Sequence, residues 1–274
     1  MSTQAPAPPR APAPSGGSGG SGGRTALRVL VVGLGLAVVA WNAVAVASLL
    51  SRATDTRDAT FSGVRVLELD LAFEDVDVTG SATTDEVTVD RGWHWSLGEP
   101  EIVTRQVGDR LVVGSSCSWT PGLPCTGWVH LTVPADVTVT GGVTDSQLTL
   151  RDLAGEVDVS TSDGGITLAA VSGPLRLESR DGSVEGTGIR SSSVSASTSD
   201  GSVRLAFADP PRSVRATSRD GSVQLTLPDD RTAYHVTVST SDGSSDVTVP
   251  TDPTAPRRIT ASTSDGDVDI ASAG

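Results

Sequence analysis

The phrase "STSDG" decides how this chain folds, because it recurs at a nearly regular interval. It occupies residues 160–164, 197–201, 239–243 and 262–266, and the related phrase "SRDG" ends at Gly182 and at Gly221. Each Asp follows the previous one by 18 to 23 residues, and Asp145 precedes the first by 18. A period near 20 residues is typical of architectures that stack one repeat on the next.

Apolar and polar residues alternate on both sides of each Asp-Gly. In the first unit, Val159 lies four residues before Asp163, and Ile166 and Leu168 lie three and five residues after it. Alternation with a period of two predicts strands that bury one face. An isolated Asp-Gly between two strands is typical of a hairpin. One unit alone has too few apolar side chains to be stable, so we favour stacked units that share a continuous core.

We therefore predict an all-β protein: a single-stranded β-helix, or β-solenoid, of about seven or more coils with an irregular N-terminal cap, preceded by one transmembrane helix. The predicted turn ladder consists of Asp163, Asp181, Asp200, Asp220, Asp242 and Asp265, with Gly164, Gly182, Gly201, Gly221, Gly243 and Gly266. We expect each Gly to supply a left-handed backbone angle, and each Asp to accept hydrogen bonds from its own following amides.

Stacking brings like charges together along one edge of the solenoid. We expect Arg180 and Arg219, which precede the Asp in alternate coils, to pair with the neighbouring carboxylates. The structural interpretation needs no metal. A calcium site is the minor alternative, and it would lie near Asp242, Asp265 and Asp267.

The chain divides into five predicted segments. These are a disordered cytoplasmic tail rich in Pro, Ala, Gly and Ser (1–24), a transmembrane helix (25–51), a linker (52–60), irregular N-terminal coils and cap with a disulfide hairpin (61–135), and the repeat solenoid (136–274). Residues 29–50 carry no charge, and as a helix they span about 33 Å, enough for a hydrocarbon core of about 30 Å.

The charges that flank the apolar run predict its orientation. Arg10, Arg24 and Arg28 precede it with no acidic residue nearby, which favours a cytoplasmic N-terminus and an extracellular C-terminal domain on a single-pass membrane protein. A cleaved signal peptide is the alternative, because "AVA" at residues 45–47 has the small-x-small form of a cleavage site ending at Ala47.

Two cysteines and four of the five tryptophans lie in residues 61–135, before the repeats. Cys117 and Cys125 flank a Pro/Gly turn, and outside the cytoplasm such a pair predicts a disulfide. A zinc site would need further ligands, and only His130 is close in sequence. Trp93 and Trp95 share one strand face, where they either plug the end of the solenoid or, if exposed, stack on sugar rings.

Composition and motifs exclude several classes of function. The 33 acidic groups outnumber the 20 basic ones, for a net charge of −13, so nucleic acid is not an expected partner. His94, His130 and His235 fall in no metal-binding spacing, and no nucleophile elbow or phosphate-binding loop lies in residues 55–274. The acids recur in every coil, whereas a catalytic pair is local and unlike its neighbours. We predict no enzymatic activity and no cofactor.

Several stretches together resemble the bacterial β-strand-repeat "putative adhesin" family of unknown function. They are "TRDATFSGVRVLELDLAFEDVDVTG" (56–80), "VHLTVPADVTV" (129–139), "STSDGSVRL" (197–205) and "SRDGSVQL" (218–225). The resemblance covers roughly residues 55–274 and implies a β-helix displayed at the cell surface, with no catalytic residues to carry over.

The predicted function is a membrane-anchored, surface-displayed, non-enzymatic module of the bacterial cell envelope. It would act in adhesin-like binding or as a scaffold, and its partner would be cell-wall glycan or another envelope protein. Two alternatives stay open, an envelope-stress sensor or regulator and, more remotely, a glycan-active enzyme. The sequence does not indicate an oligomeric state.

Overall fold

The computed structural model describes residues 53–72, 74–95, 101–116 and 126–274. All regular structure in these ranges is β-strand, as the alternation predicts. Within them, no helix is long and apolar enough to cross a bilayer. The predicted tail (1–24) and transmembrane helix (25–51) lie outside the described residues.

The strands in chain order are Ala53–Ser62 (β1), Val66–Leu71 (β2), Glu74–Ser81 (β3), Glu86–Trp95 (β4), Glu101–Val107 (β5), Arg110–Ser116 (β6), Thr126–Pro134 (β7), Thr138–Val143 (β8), Leu148–Arg151 (β9), Val157–Thr161 (β10), Ile166–Ala169 (β11), Leu175–Ser179 (β12), Val184–Ile189 (β13), Ser193–Ser197 (β14), Val203–Phe207 (β15), Ser213–Thr217 (β16), Val223–Leu227 (β17), His235–Ser239 (β18), Ser245–Val247 (β19), Arg258–Ser262 (β20) and Val268–Ser272 (β21).

The strands form two sheets that face each other. The first sheet has 11 strands in the order β1-β4-β7-β3-β9-β11-β13-β15-β17-β21-β19, and the second has 10 in the order β18-β20-β16-β14-β12-β10-β8-β2-β6-β5. From β8 onward, each coil places one strand in the second sheet and the next in the first. The Asp-Gly turn between those two strands is called the corner below. Neighbouring coils pair in parallel, which confirms the β-solenoid.

The register keeps equivalent residues in line and so builds one core. Val157 pairs with Leu175, and Val159 pairs with Leu177; all four side chains are buried. The apolar positions of both sheets join a single cluster that extends from Val64 to Ile270. The alternating polar residues face outward on both sheets.

The coil order at the C-terminal end departs from the chain order. β20 pairs with both β16 and β18, and β21 pairs with both β17 and β19. The last coil therefore lies inside the stack, and the coil before it forms the end. Side-chain polarity favours this order, because an inner coil is covered by neighbours on both sides and an end coil on only one. Ile259 and Ile270 of the inner coil are fully buried, whereas the end coil carries an exposed Ser245 at an inward position and a half-buried Val247.

The N-terminal end is closed by antiparallel strands. β2 and β3 form a regular rung against β8 and β9, and β6 and β7 continue the stack beyond them. β1, β4 and β5 then pair antiparallel with their neighbours. This end differs from the repeated coils, in agreement with a cap for the terminal repeat.

Candidate functional site

Backbone hydrogen bonds stack the predicted Asp-Gly corners directly over one another. The N–H of Asp181 donates to the carbonyl of Ser162 at 2.8 Å, and the N–H of Asp200 donates to that of Arg180 at 2.9 Å. Equivalent bonds link every corner from Asp163 to Asp265, and then Asp265 to Asp242 in the exchanged order. The repeated sequence therefore holds successive coils in register.

The corner glycines serve close approach, which corrects the predicted left-handed angle. Among the described residues, the glycines with positive φ are Gly63, Gly108, Gly141 and Gly188, and none of them is a corner glycine. A Cβ built on Gly182 would lie 2.0 Å from the carbonyl oxygen of Gly164 in the neighbouring coil. Glycine is required because the next backbone occupies the place of a side chain.

The hydroxyl two residues before each Asp, and not the Asp carboxylate, hydrogen-bonds a corner glycine. Thr198, two residues before Asp200, donates to the carbonyl of Gly182 at 2.9 Å and accepts from the N–H of Gly201 at 3.2 Å. Ser218 repeats both bonds one coil further on. No described hydrogen bond joins a corner carboxylate to its own following amides, so that expectation is wrong. The recurrence of Ser or Thr at this inward position was the signal in the sequence, since a buried hydroxyl needs a partner.

The carboxylates themselves face solvent and interact with one another. A hydrogen bond with Asp163 raises the pKa of Asp181, and its desolvation and the Asp200 carboxyl act in the same direction. The pKa values of Asp145 and Asp220 are raised mainly by hydrogen bonds with Asp163 and Asp200, respectively.

Within the described ranges, arginine side chains do not form the predicted ion pairs with the corner carboxylates. The ion pairs among the described residues include neither Arg180 nor Arg219. The corner carboxylates therefore lie close to one another without an ion-pair partner among these residues, and the raised pKa values of Asp145, Asp181 and Asp220 reflect this proximity.

The structure does not support the minor calcium interpretation. The exchanged coil order does bring Asp265 next to Asp242. The Asp267 carboxylate, however, accepts hydrogen bonds from the Ser244 N–H at 2.8 Å and the Ser244 hydroxyl at 2.7 Å, and these bonds lower its pKa. In the described part of the chain, no group of three or more His, Cys, Asp or Glu residues is arranged to hold a metal ion.

A polar groove of about 540 Å³ runs beside the corner ladder on the outer face of the second sheet. It crosses the C-terminal ends of β2, β8, β10, β12 and β14, so successive coils each contribute the same positions. One row of cross-strand partners forms its length: Asp70, Gly142, Ser160, Glu178 and Ser197. Corner residues complete it, among them Thr144, Ser162, Arg180 and Ser199.

Gly142 lines this groove, and a second glycine, Gly141, precedes it. Gly141 has φ +103°, and a Cβ on Gly142 would lie 2.8 Å from the carbonyl oxygen of Ser160. Double glycine inside a strand marks a place where the backbone must be closely approached. Charges of both signs line the groove, because Asp70, Glu178 and Arg180 are among its lining residues, and Glu178 forms an ion pair with Arg176. Sequence reasoning missed this surface, although "TGG" within a Val/Thr strand was a visible signal.

The remaining predicted site residues are two cysteines and two tryptophans, and their side chains lie outside the described residues. Cys117 and Cys125 fall outside the described residues, so their disulfide stays a prediction. The backbone of Trp93 pairs with Asp55 and Gly127, and that of Trp95 pairs with Ala53. The side chains of both tryptophans lie outside the described residues, so the plug at the end of the solenoid and the sugar-stacking site both stay predictions.

Comparison with known proteins gives a family match over half of the chain. The family model described as Toastrack DUF4097 matches residues 129–271. No curated protein sequence matches the chain.

The solved structures that match this chain share little of its sequence. A "putative cell adhesion protein" from Clostridium sporogenes is 9% identical, with coverage of 81% of this chain and 100% of that one and a TM-score of 0.37. A "putative adhesin" from Parabacteroides merdae is 13% identical over 79% and 95%, with a TM-score of 0.36. A "putative lipid binding protein" from Parabacteroides distasonis is 11% identical over 79% and 96%, with a TM-score of 0.39. TM-scores this low carry no argument about function.

Proposed function

This chain belongs to the Toastrack DUF4097 family, and from that premise we propose that it is a non-enzymatic, adhesin-like binding module of the bacterial cell envelope. Residues 25–51 would anchor it in the membrane, with the tail in the cytoplasm and the β-solenoid outside. The Arg-rich, acid-free flank before the apolar run supports that orientation.

The polar groove is the single observation that carries the binding proposal. Its row of partners repeats at the strand spacing of about 4.8 Å, so it presents an extended series of hydroxyl and charged groups on a backbone fixed by the corner ladder. A rigid site loses little conformational entropy on binding. An extended ligand with a repeating chemical structure suits such a row better than a compact one.

Cell-wall glycan is the ligand class that we assign to the groove. Its lining is mostly polar, with Ser160, Ser197 and Thr144 as well as Asp70 and Glu178. These groups donate to and accept from sugar hydroxyls, whereas a protein segment would use the apolar anchors typical of protein interfaces.

Sedimentation of the full-length chain with purified cell-wall glycan tests the proposal. Ser160 is exposed between Gly142 and Glu178, so Ser160→Arg fills the groove without disturbing the core. We expect about a tenfold loss of affinity, about 1.4 kcal/mol of binding free energy. Ser213→Arg, at an exposed position of the same sheet outside the groove, is the matched control and should bind like the parent.

Two results would contradict the groove assignment. One is wall binding that is equal in the parent and both variants. The other is capture of an envelope protein, but no glycan, by the parent and the control and not by Ser160→Arg, which would assign the groove to a protein partner.

A further inference from the structure

A second surface lies on the outer face of the first sheet, where the indole of Trp128 on β7 rests on β4. A Cβ built on Gly92 would lie 2.7 Å from Cε2 and Cζ2 of Trp128 and 2.9 Å from its Nε1. The ring therefore lies directly against the backbone at Gly92, and Trp128 is only half-buried. The His130 ring lies beside it, with 4.6 Å between the ring centroids and a tilt of 37°.

Acidic residues surround this aromatic pair. Asp75 on β3 lies directly opposite Trp128, and Asp90 on β4 lies directly opposite His130. Asp77 also lies opposite His130, but Arg151 forms an ion pair with it. Neither Asp75 nor Asp90 belongs to an ion pair within the described residues.

A purely structural role accounts for part of this arrangement. A tryptophan that covers a glycine on the neighbouring strand shields the exposed backbone and supports the sheet. That role does not require carboxylates around the ring. It also leaves unexplained the antiparallel pairing of Asp58 with Asp90, because like charges directly opposite each other destabilise a sheet.

A bound cation resolves both points. Trp is the aromatic side chain that attracts a cation most strongly over its ring face, and carboxylates at the rim add charge-assisted hydrogen bonds. The net charge of −13 also raises the local concentration of cations. A neutral sugar could stack on the same ring, but it would leave the like-charged pair uncompensated.

We propose that the Trp128 face, defined by Trp128, His130, Asp75, Asp90 and Asp58, binds the guanidinium or ammonium group of a basic segment of a partner polypeptide. The cation stacks on the indole, and Asp75 and Asp90 accept its N–H groups. This site lies on the other sheet from the groove, so it does not depend on the function proposed above.

Titration of the ¹⁵N-labelled full-length chain with a blocked Gly-Arg-Gly peptide tests the proposal. The indole N–H resonance of Trp128, identified by its absence in Trp128→Phe, should shift in a saturable way. Asp75→Asn and Asp90→Asn should each weaken binding by about 2- to 30-fold, the range that corresponds to one cation–aromatic or charge contact. Asp246→Asn is the matched control, since Asp246 is exposed on the same face at the far end of the sheet and also lies opposite an acidic residue, Asp269, on a strand pair that contains no tryptophan.

Each of four outcomes would overturn the proposal. Two are the absence of a shift of the Trp128 resonance and equal binding of the neutral Gly-citrulline-Gly analogue. The third is equal weakening by Asp246→Asn, which would indicate only the general electrostatic field of the protein, and the fourth is a saturable shift with a neutral chitin oligosaccharide and none with the peptide, which would make this face a sugar-binding surface. The Asp variants are at surface positions, so the test stands even if changes at Trp128 reduce stability.

Discussion

Replacing a corner glycine with alanine should destabilise the domain through backbone contact between coils. In Gly182→Ala, the new Cβ would lie 2.0 Å from the carbonyl oxygen of Gly164, whereas carbon and oxygen in contact lie about 3.3 Å apart or more. The two coils must therefore separate by more than about 1 Å at this corner.

The magnitude follows from the hydrogen bonds that such a separation breaks. The Asp181 N–H bond to Ser162 is 2.8 Å long, and the Ser179 hydroxyl bond to Gly164 is 3.2 Å long; neither survives a lengthening of that size. Ser179 is buried, so its hydroxyl loses about 1–3 kcal/mol without this acceptor, and the Asp181 bond, at an exposed residue, contributes about 0.5–1.5 kcal/mol. Alanine returns about 0.5–1 kcal/mol of unfolded-chain entropy, so we expect a net loss of about 0.5–4 kcal/mol in the free energy of unfolding.

Urea unfolding of the parent and the variants measures this loss. Gly114→Ala is the control, because its Cβ would meet nothing nearer than 3.4 Å, and it should stay within about 0.5 kcal/mol of the parent. Gly266→Ala, with a predicted approach of 2.5 Å, should fall between the two. A Gly182→Ala protein as stable as the Gly114→Ala protein would refute the view that corner glycines exist for close approach.

Three further predictions concern the ladder and the order of the coils. Asp181→Asn should be more stable than the parent at pH 7. Because the pKa of Asp181 is raised in the folded state, the folded protein is favoured when this carboxyl is protonated, and that contribution to the free energy of unfolding is lost as pH rises through the pKa. Asparagine removes the charge and so avoids this loss. The difference in urea midpoint between the two proteins should shrink towards pH 4, and a gap that widens on acidification would contradict a raised pKa of Asp181. Thr198→Val keeps the shape but removes the hydroxyl that serves Gly182 and Gly201, and should cost about 1–3 kcal/mol; thermal unfolding unchanged from that of the parent would show that the hydroxyl ladder does not stabilise the fold. Truncation after Ala255 removes β20 and β21, the sheet partners of β18 and β19, so limited proteolysis should degrade residues 229–255 as well; survival of that coil would contradict the exchanged order.

Local pattern was sufficient to predict the all-β class, the stacked coils and the corner positions. Alternation around Asp163 and its equivalents identifies the buried face of each strand, because successive side chains of a strand point to opposite sides. The near-constant period then places the corners in one column. These inferences need only residues that are close together in the chain.

Only the tertiary structure decided which coil lies next to which and what each side chain does there. Every coil has the same corner and the same register, so the repeated "STSDG" allows several stacking orders. The end position is taken by the coil that buries the least apolar surface, the one with Ser245. The clash that makes Gly182 necessary, the bond of the Thr198 hydroxyl to Gly182, and the groove and Trp128 face all depend on contacts between residues far apart in sequence. Their partners depend on the stacking order, which no single repeat specifies.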